Sequence, residues 1–260
     1  MLKKTLITII VLGSFVFLAF RKDGTSHLHG PAESKSSAET FEPIIVLELF
    51  TSQGCSSCPP ADALLGKVEK DYPGNIFTLS YHVDYWNYIG WKDPFSRPEY
   101  TRKQKEYASK FHSQRIYTPQ LVINGKEHLV GSNSGKLYGK LLEYGKKRAL
   151  NKIVLSDIDL DGQKVSFAYE VLGDIRKKEI KAFVVLEHRE TQVKRGENRN
   201  RTLANHNIVV AEKPMNQING TKNLAFLHLP EMVRPDEQKY LILLVQDSSL
   251  EITGAIKVAI

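Results

Sequence analysis

A chain of 260 residues with 42% hydrophobic composition, 17 Gly and 11 Pro can bury a real core and has room for two compact domains, which excludes a disordered or fibrous protein. The formal net charge of +7 would favour an acidic partner, but Lys3, Lys4, Arg21 and Lys22, offset by Asp23, supply three of those charges at the N-terminus and leave +4 for the remainder. That balance is ordinary for a soluble domain, so no nucleic-acid partner is expected from charge.

Residues 1–24 read as a signal peptide or membrane anchor. Lys3-Lys4 ahead of the uncharged stretch 5–20 supplies the charged and apolar regions of a Sec-type export signal. No A-x-A site follows and Arg21-Lys22 stops the run, so anchoring to the inner membrane through this segment is the alternative to cleavage, although the run is short beside the roughly 20 residues of a spanning helix. The expected location is outside the cytoplasm, periplasmic or secreted. Residues 25–42 are rich in Ser, Gly, His, Glu and Lys without hydrophobic periodicity, and read as a disordered tether. His27 and His29 within it are read as solvated side chains, because two imidazoles alone are an incomplete metal-ligand set.

From residue 43 the chain changes character. The apolar run 44–50 predicts a central strand covered on both faces, and 61–72 predicts a helix with Leu64, Leu65, Val68 and Tyr72 on one side, ended by Pro73-Gly74. A strand over 76–83 completes a β-α-β unit. Ser96-Arg-Pro-Glu99 has the form of a capping box before an amphipathic helix at 98–113. Asn124-Gly125 predicts a hairpin turn between strands at 120–123 and 126–130, and a helix over 135–149 follows. Residues 43–150 are therefore expected to form an α/β domain. Beyond residue 150 the pattern alternates apolar and polar residues over seven short strands, near 153–160, 165–171, 180–186, 208–211, 224–229, 240–245 and 252–258, which predicts an all-β sandwich-like domain at 151–260.

The chemistry-bearing residues concentrate in the first of these domains. Cys55 and Cys58, the two cysteines of the chain, enclose Ser56-Ser57, and a bridge across so small a loop would constrain the unfolded chain very little. They stand between a buried strand and a helix marked by Pro59-Pro60, where unpaired backbone N–H groups and the helix dipole are expected to stabilise a thiolate. Thiols in such settings have pKa values of about 3.5–7.5, against about 8.5 when free. Cys55 is read as the attacking sulfur and Cys58 as the resolving one.

Glu48 is a carboxylate in an otherwise apolar strand, where desolvation would raise its pKa towards neutrality; it is read either as the group taking a proton from Cys58 or as a side chain facing solvent or a lysine. His82 and Asp84, two apart near the end of the second strand, are a candidate acid-base pair, and His82 with Cys55 and Cys58 is the alternative, a copper or zinc site. Tyr85, Trp86, Tyr88 and Trp91 are either a substrate-binding lip or packing in the core. The charged stretch 194–201 is read as a solvated hairpin tip.

The order strand, C-x-x-C, helix and, later, Thr118-Pro119 before a hairpin strand resembles thioredoxin. That resemblance implies a thioredoxin-like fold for residues 43–150, a cis Thr118–Pro119 bond, and a proline loop that aligns substrate beside Cys55, where an isolated X-Pro bond would ordinarily be trans. More closely, the strings Glu48-Leu-Phe-Thr-Ser-Gln-Gly-Cys-Ser-Ser-Cys-Pro-Pro-Ala-Asp62, the segment 82–95, Tyr117-Thr-Pro-Gln and Arg195-Gly-Glu-Asn198 resemble a secreted bacterial thioredoxin-like family of unknown function, domain-of-unknown-function family 1223. It implies fold and compartment and no substrate. The expected function is thiol-disulfide exchange, without a cofactor, on protein thiols or disulfides or small thiols. The rivals are metal binding and an interaction module whose disulfide is inert.

Overall fold

A computed structural model describes residues 40–215 and 222–260, so the signal or anchor segment and nearly all of the tether lie outside the described residues. The last tether residues are held: Phe41 exchanges backbone hydrogen bonds with Ala149 at 2.8 and 3.2 Å.

The first half follows the sequence pattern. Strand β1 (Ile45–Thr51) leads to helix α1 (Pro59–Asp71) and strand β2 (Ile76–His82), and β1 and β2 lie parallel and entirely buried. Helix α2 (Pro98–Lys110) comes next, then the hairpin β3 (Gln120–Ile123) and β4 (Glu127–Val130), and helix α3 (Ser134–Tyr144). The turn is Asn124-Gly125 with both residues at positive φ. A Cβ on Gly125 would fall 1.8 Å from Leu250 O, so glycine is required there by contact as well as by conformation. The capping box does not form. Arg97 is the N-cap of α2 without a side-chain bond, and Ser96 Oγ donates instead to Asp93 O at 2.8 Å.

All seven expected strands of the second half are present: β5 (Lys152–Asp161), β6 (Lys164–Leu172), β7 (Lys178–Gln192), β8 (Thr202–Met215), β9 (Asn223–His228), β10 (Lys239–Asp247) and β11 (Ile252–Ala259). They do not form a sandwich with sheets of its own. Strands β5, β6 and β9 make a three-stranded antiparallel sheet, whereas β7, β8, β10 and β11 extend the first-half sheet into one of eight strands, ordered β11-β10-β7-β8-β2-β1-β3-β4. The junction is the parallel contact of β8 with β2, where Ser80 pairs with Ile208 and Ser80 Oγ donates to His206 O at 2.6 Å. Residue 150 thus divides two textures of sequence but not two sheets, and the described residues belong to one compact unit.

The large sheet is covered on both faces, as its continuous apolar runs require. Ile45, Leu47 and Leu49 of β1 meet α1 and α3 on one face. On the same face of β7, β8 and β10, Ala182, Val184, Ile208 and Leu243 pack against Val165, Phe167 and Leu227 of the small sheet, so sheet-on-sheet packing is retained there. The opposite face, through Val46, Phe50, Tyr81, Phe183 and Val209, is covered by Tyr100 and Tyr107 of α2. The fold is mixed α/β and rich in strand.

Candidate active site

Strand β1 delivers the chain into a tight loop at its C-terminal end. Cys55 N–H donates to Ser52 O and Cys58 N–H to Cys55 O, each at 3.2 Å, and Gly54 N–H donates to Ser52 Oγ at 3.0 Å. Cys55 and Cys58 are joined by a disulfide, with Cα atoms 5.5 Å apart, and Cys58 is the N-cap of α1. The expected ring of free N–H donors is absent. Pro59 and Pro60 have none, and the amides of Ala61 and Asp62 both point to Cys58 O at 2.8 and 3.2 Å. What remains for a sulfur anion is the dipole of α1 and the Ser57 hydroxyl, 3.3 Å from Cys55 Sγ. Cys55 is 1% and Cys58 0% exposed, while Ser56 and Ser57 between them are open to solvent.

Three distant segments enclose this loop. Thr118–Pro119 is cis, and a Cβ added to Gly131 would sit 3.2 Å from Pro119 Cβ and 3.1 Å from Ala61 Cβ, which puts the proline loop against the first turn of α1. Trp86 links that loop to the cysteines: its Nε1 donates to Thr118 Oγ1 at 2.8 Å, and its Cβ would lie 3.0 Å from a Cβ placed on Gly54. Trp91 Nε1 donates to Gln53 Oε1 at 3.1 Å. Both tryptophans therefore border the cysteine loop. Tyr85 packs with the apolar cluster under α2, where burial pushes its phenol up to about 12, and Tyr88 stands 82% exposed.

The third segment is 194–201, the tip of the β7–β8 hairpin, exposed over most of its length but also docked on the cysteine loop. Asn198, 0% exposed, donates to Gln53 O at 2.9 Å and Cys55 O at 3.0 Å, and Glu197 Oε2 accepts from Ser56 N–H at 2.9 Å. The long β7–β8 hairpin carries this loop back to the cysteines, a consequence of the β2–β8 junction that no local pattern encodes.

The proposed partner of Cys58 is also displaced. Glu48 is buried, but it faces α2, where Tyr107 Oη donates to Oε2 and Lys103 Nζ lies 3.2 Å from Oε1; α1 packs on the other face of β1. The alternation of a strand puts residue 48 opposite to 47 and 49, so the sheet itself separates Glu48 from the sulfurs. Its lysine partner is the arrangement that desolvation demands.

The acid beside the motif is Asp62, four residues beyond Cys58 on the same face of α1 and 1% exposed. Thr51 Oγ1 donates to it at 2.8 Å and Asn205 Nδ2 at 3.3 Å. Burial pushes its carboxyl up to about 6, against the opposing pull of His82 and these hydrogen bonds. Its sequence signal is its spacing: an acid sharing a helix face with Cys58 and Leu65.

His82 turns away from Asp84. Its Nδ1 lies 2.7 Å from Asp93 Oδ2, which also accepts from Gln53 N–H at 2.8 Å, while Asp84 takes the Thr101 hydroxyl at 2.5 Å. The strand ends at His82, so the alternation that would align the two residues stops there. Burial pulls the imidazole down, but Asp93 and then Asp62 outweigh it and the net shift is upward. Its Nε2 is buried without a hydrogen-bond partner. The alternative ligand set Cys55, Cys58 and His82 is not assembled: the sulfurs are bonded to each other, and no three His, Cys, Asp or Glu donors converge among the described residues.

A family model described as "Protein of unknown function (DUF1223)" matches residues 46–246. The chain belongs to the DUF1223 family. The match spans both halves of the sequence and so agrees with a sheet that runs through both. This DUF1223 protein is similar to a crystal structure of an Agrobacterium tumefaciens protein from a structural genomics programme, with 27% identity and a TM-score of 0.63 over 84% of this chain and 95% of that one. A domain of the outer membrane lipoprotein Omp28 from Porphyromonas gingivalis shares 14% identity and a TM-score of 0.28, over 43% of this chain and 96% of that one, too remote to bear on the DUF1223 fold. No curated protein matches the chain. No helix among the described residues is long and apolar enough to cross a membrane.

Proposed function

We propose that this protein is an exported, thioredoxin-like thiol-disulfide oxidoreductase acting through Cys55 and Cys58. The observation that carries this reading is the pairing of the two cysteines at the N-terminal end of α1 with the Thr118–Pro119 loop against the first turn of the same helix. A substrate thiolate attacks Cys55 Sγ, forming a mixed disulfide as the Cys55–Cys58 bond breaks, and Cys58 leaves as a thiolate. A second substrate thiol, deprotonated, then attacks its own sulfur in the mixed disulfide and releases Cys55. Two electrons pass from the substrate dithiol to the protein, and the reverse sequence oxidises the protein while reducing a substrate disulfide. Asp62, rather than Glu48, is assigned the proton delivered to Cys58, by its place one helical turn away and its carboxyl pushed up to about 6. Both cysteines are buried, and the 84–92 and 194–201 segments border the loop that carries them, so exchange requires the loop to open. The apolar N-terminal stretch and a disulfide both fit a location outside the cytoplasm.

The burial of both sulfurs favours a second reading, an inert disulfide that fixes the turn in an interaction module. The reduction potential of the pair separates the two: a value between about −120 and −270 mV, with turnover on a dithiol or disulfide substrate, supports exchange, whereas one below about −300 mV without turnover supports the inert bridge.

A further inference from the structure

The segments around the cysteine loop carry an excess of exposed positive charge. Lys92 lies between Trp91 and Asp93, which both bond Gln53. Arg115 lies three residues before Thr118. Lys194, Arg195 and Arg199 belong to the loop whose Asn198 and Glu197 bond the cysteine loop directly. All five side chains are exposed, and none makes an ion pair or rests on an aromatic ring among the described residues. Some exposed cations elsewhere on the molecule have partners, as Lys67 has Asp71 and Arg176 has Asp174, and others, such as Lys105 and Lys152, have none among the described residues. The exposed acid within the 194–201 loop, Glu197, is engaged by the Ser56 amide and offsets one of these charges.

A solvated charge run would be free to move, but this one is fixed. Buried Asn198 pins the loop to Cys55 O, and Arg201 Nη1 donates to Asn198 Oδ1 at 2.8 Å. A Cβ at Gly196, which has φ +77, would lie 2.8 Å from Ile89 Cδ1, so the loop also rests on the aromatic-rich segment. The backbone that carries Lys194, Arg195 and Arg199 is therefore anchored to the cysteine loop, whose Ser56 and Ser57 are exposed.

We infer that the cationic rim of Lys92, Arg115, Lys194, Arg195 and Arg199 recruits an acidic polypeptide segment to the Cys55–Cys58 loop. Because the charges come from three separate loops, an extended chain bearing several carboxylates satisfies them better than a small anion does. The inference names the substrate class for the exchange reaction proposed above and rests on that reading for its consequence, although binding can be measured without any redox chemistry. Like-charged basic segments would be repelled from the same rim.

The experiment uses the full chain and two labelled, cysteine-free 12-residue peptides, one rich in Glu and Asp and one of matched length rich in Lys, followed by fluorescence anisotropy at low and high salt. The acidic peptide is expected to bind about tenfold more tightly than the basic one at low ionic strength, with the difference lost near 0.5 M salt. The K92E/R195E/R199E variant is expected to reverse the ranking. Equal affinities, or a preference unaffected by salt, would overturn the inference. If the variant fails to fold, the salt dependence of the wild-type ranking decides by itself. Binding of the acidic peptide with a potential below about −300 mV and no turnover would retain the acidic partner and refute the exchange reaction. Turnover without charge discrimination would do the opposite.

Discussion

Replacement of Asn198 by Ala tests whether the 194–201 loop holds the cysteine loop in place. The Asn198 amide donates one hydrogen to Gln53 O and the other to Cys55 O, and its oxygen accepts from Arg201. Cys55 O keeps the Cys58 amide as a donor, so truncation chiefly strands Gln53 O in a site without solvent. A stranded buried carbonyl costs about 1–3 kcal/mol, a large share of the roughly 5–15 kcal/mol that stabilises a domain. Urea unfolding followed by tryptophan fluorescence should therefore show Asn198→Ala destabilised by about 2 kcal/mol. Asn198→Asp keeps the shape but aims carboxylate oxygens at two carbonyl oxygens, and should cost more than the alanine. If both variants fall within about 0.5 kcal/mol of wild type, or the aspartate is the milder of the two, the loop is not held as described.

Further outcomes follow from the buried charges. Asp62, with its carboxyl pushed up from 3.8 to about 6, contributes stability that is fully present below pH 3.8 and lost as pH rises through 6, amounting to about 3 kcal/mol. Asp62→Asn should flatten the stability profile between pH 4 and 7 in urea titrations, and parallel profiles for the two proteins would show that the carboxyl is not held as described. His82, with a net upward shift, adds a loss of the same sign above pH 6.5, which Asp62→Asn should weaken because Asp62 is one of the two carboxylates that raise it. Lys103→Met leaves Glu48 charged and unpaired within the core, at an expected cost of about 3–5 kcal/mol in the same assay, and adding Glu48→Gln should recover part of it. Because Glu48 faces away from α1, Glu48→Gln should leave the rate of disulfide reduction by dithiothreitol within about twofold of wild type across pH 6–9, where Asp62→Asn should alter the profile.

Much of the first half was legible in the residues. The apolar run at 44–50, the C-x-x-C motif before Pro59-Pro60 and the Asn124-Gly125 turn are local signals, and each produced the expected element because periodicity and turn chemistry act within a few residues. The N-H donors at the start of α1 were misjudged by the same local logic, since the two prolines remove them and the next two amides turn to Cys58 O. For Glu48 the residues leave open a proton-transfer role and a side chain facing solvent or a lysine, because nothing within the strand says which face carries the helix with the cysteines. His82 and Asp84 failed as a pair because strand alternation predicts a shared face only as far as the strand continues.

Sequence alone thus determined where strands, helices and the cysteine pair lie, because those depend on backbone propensity, side-chain period and proline or glycine punctuation. Tertiary structure decided which of them meet. The single β2–β8 junction merges two stretches of different texture into one sheet and brings Asn198, Asn205 and Glu197 to a loop more than 130 residues earlier in the chain. Contacts over such separations arise from how sheets complete their hydrogen bonding and cover their apolar faces, a global balance that no window of residues contains.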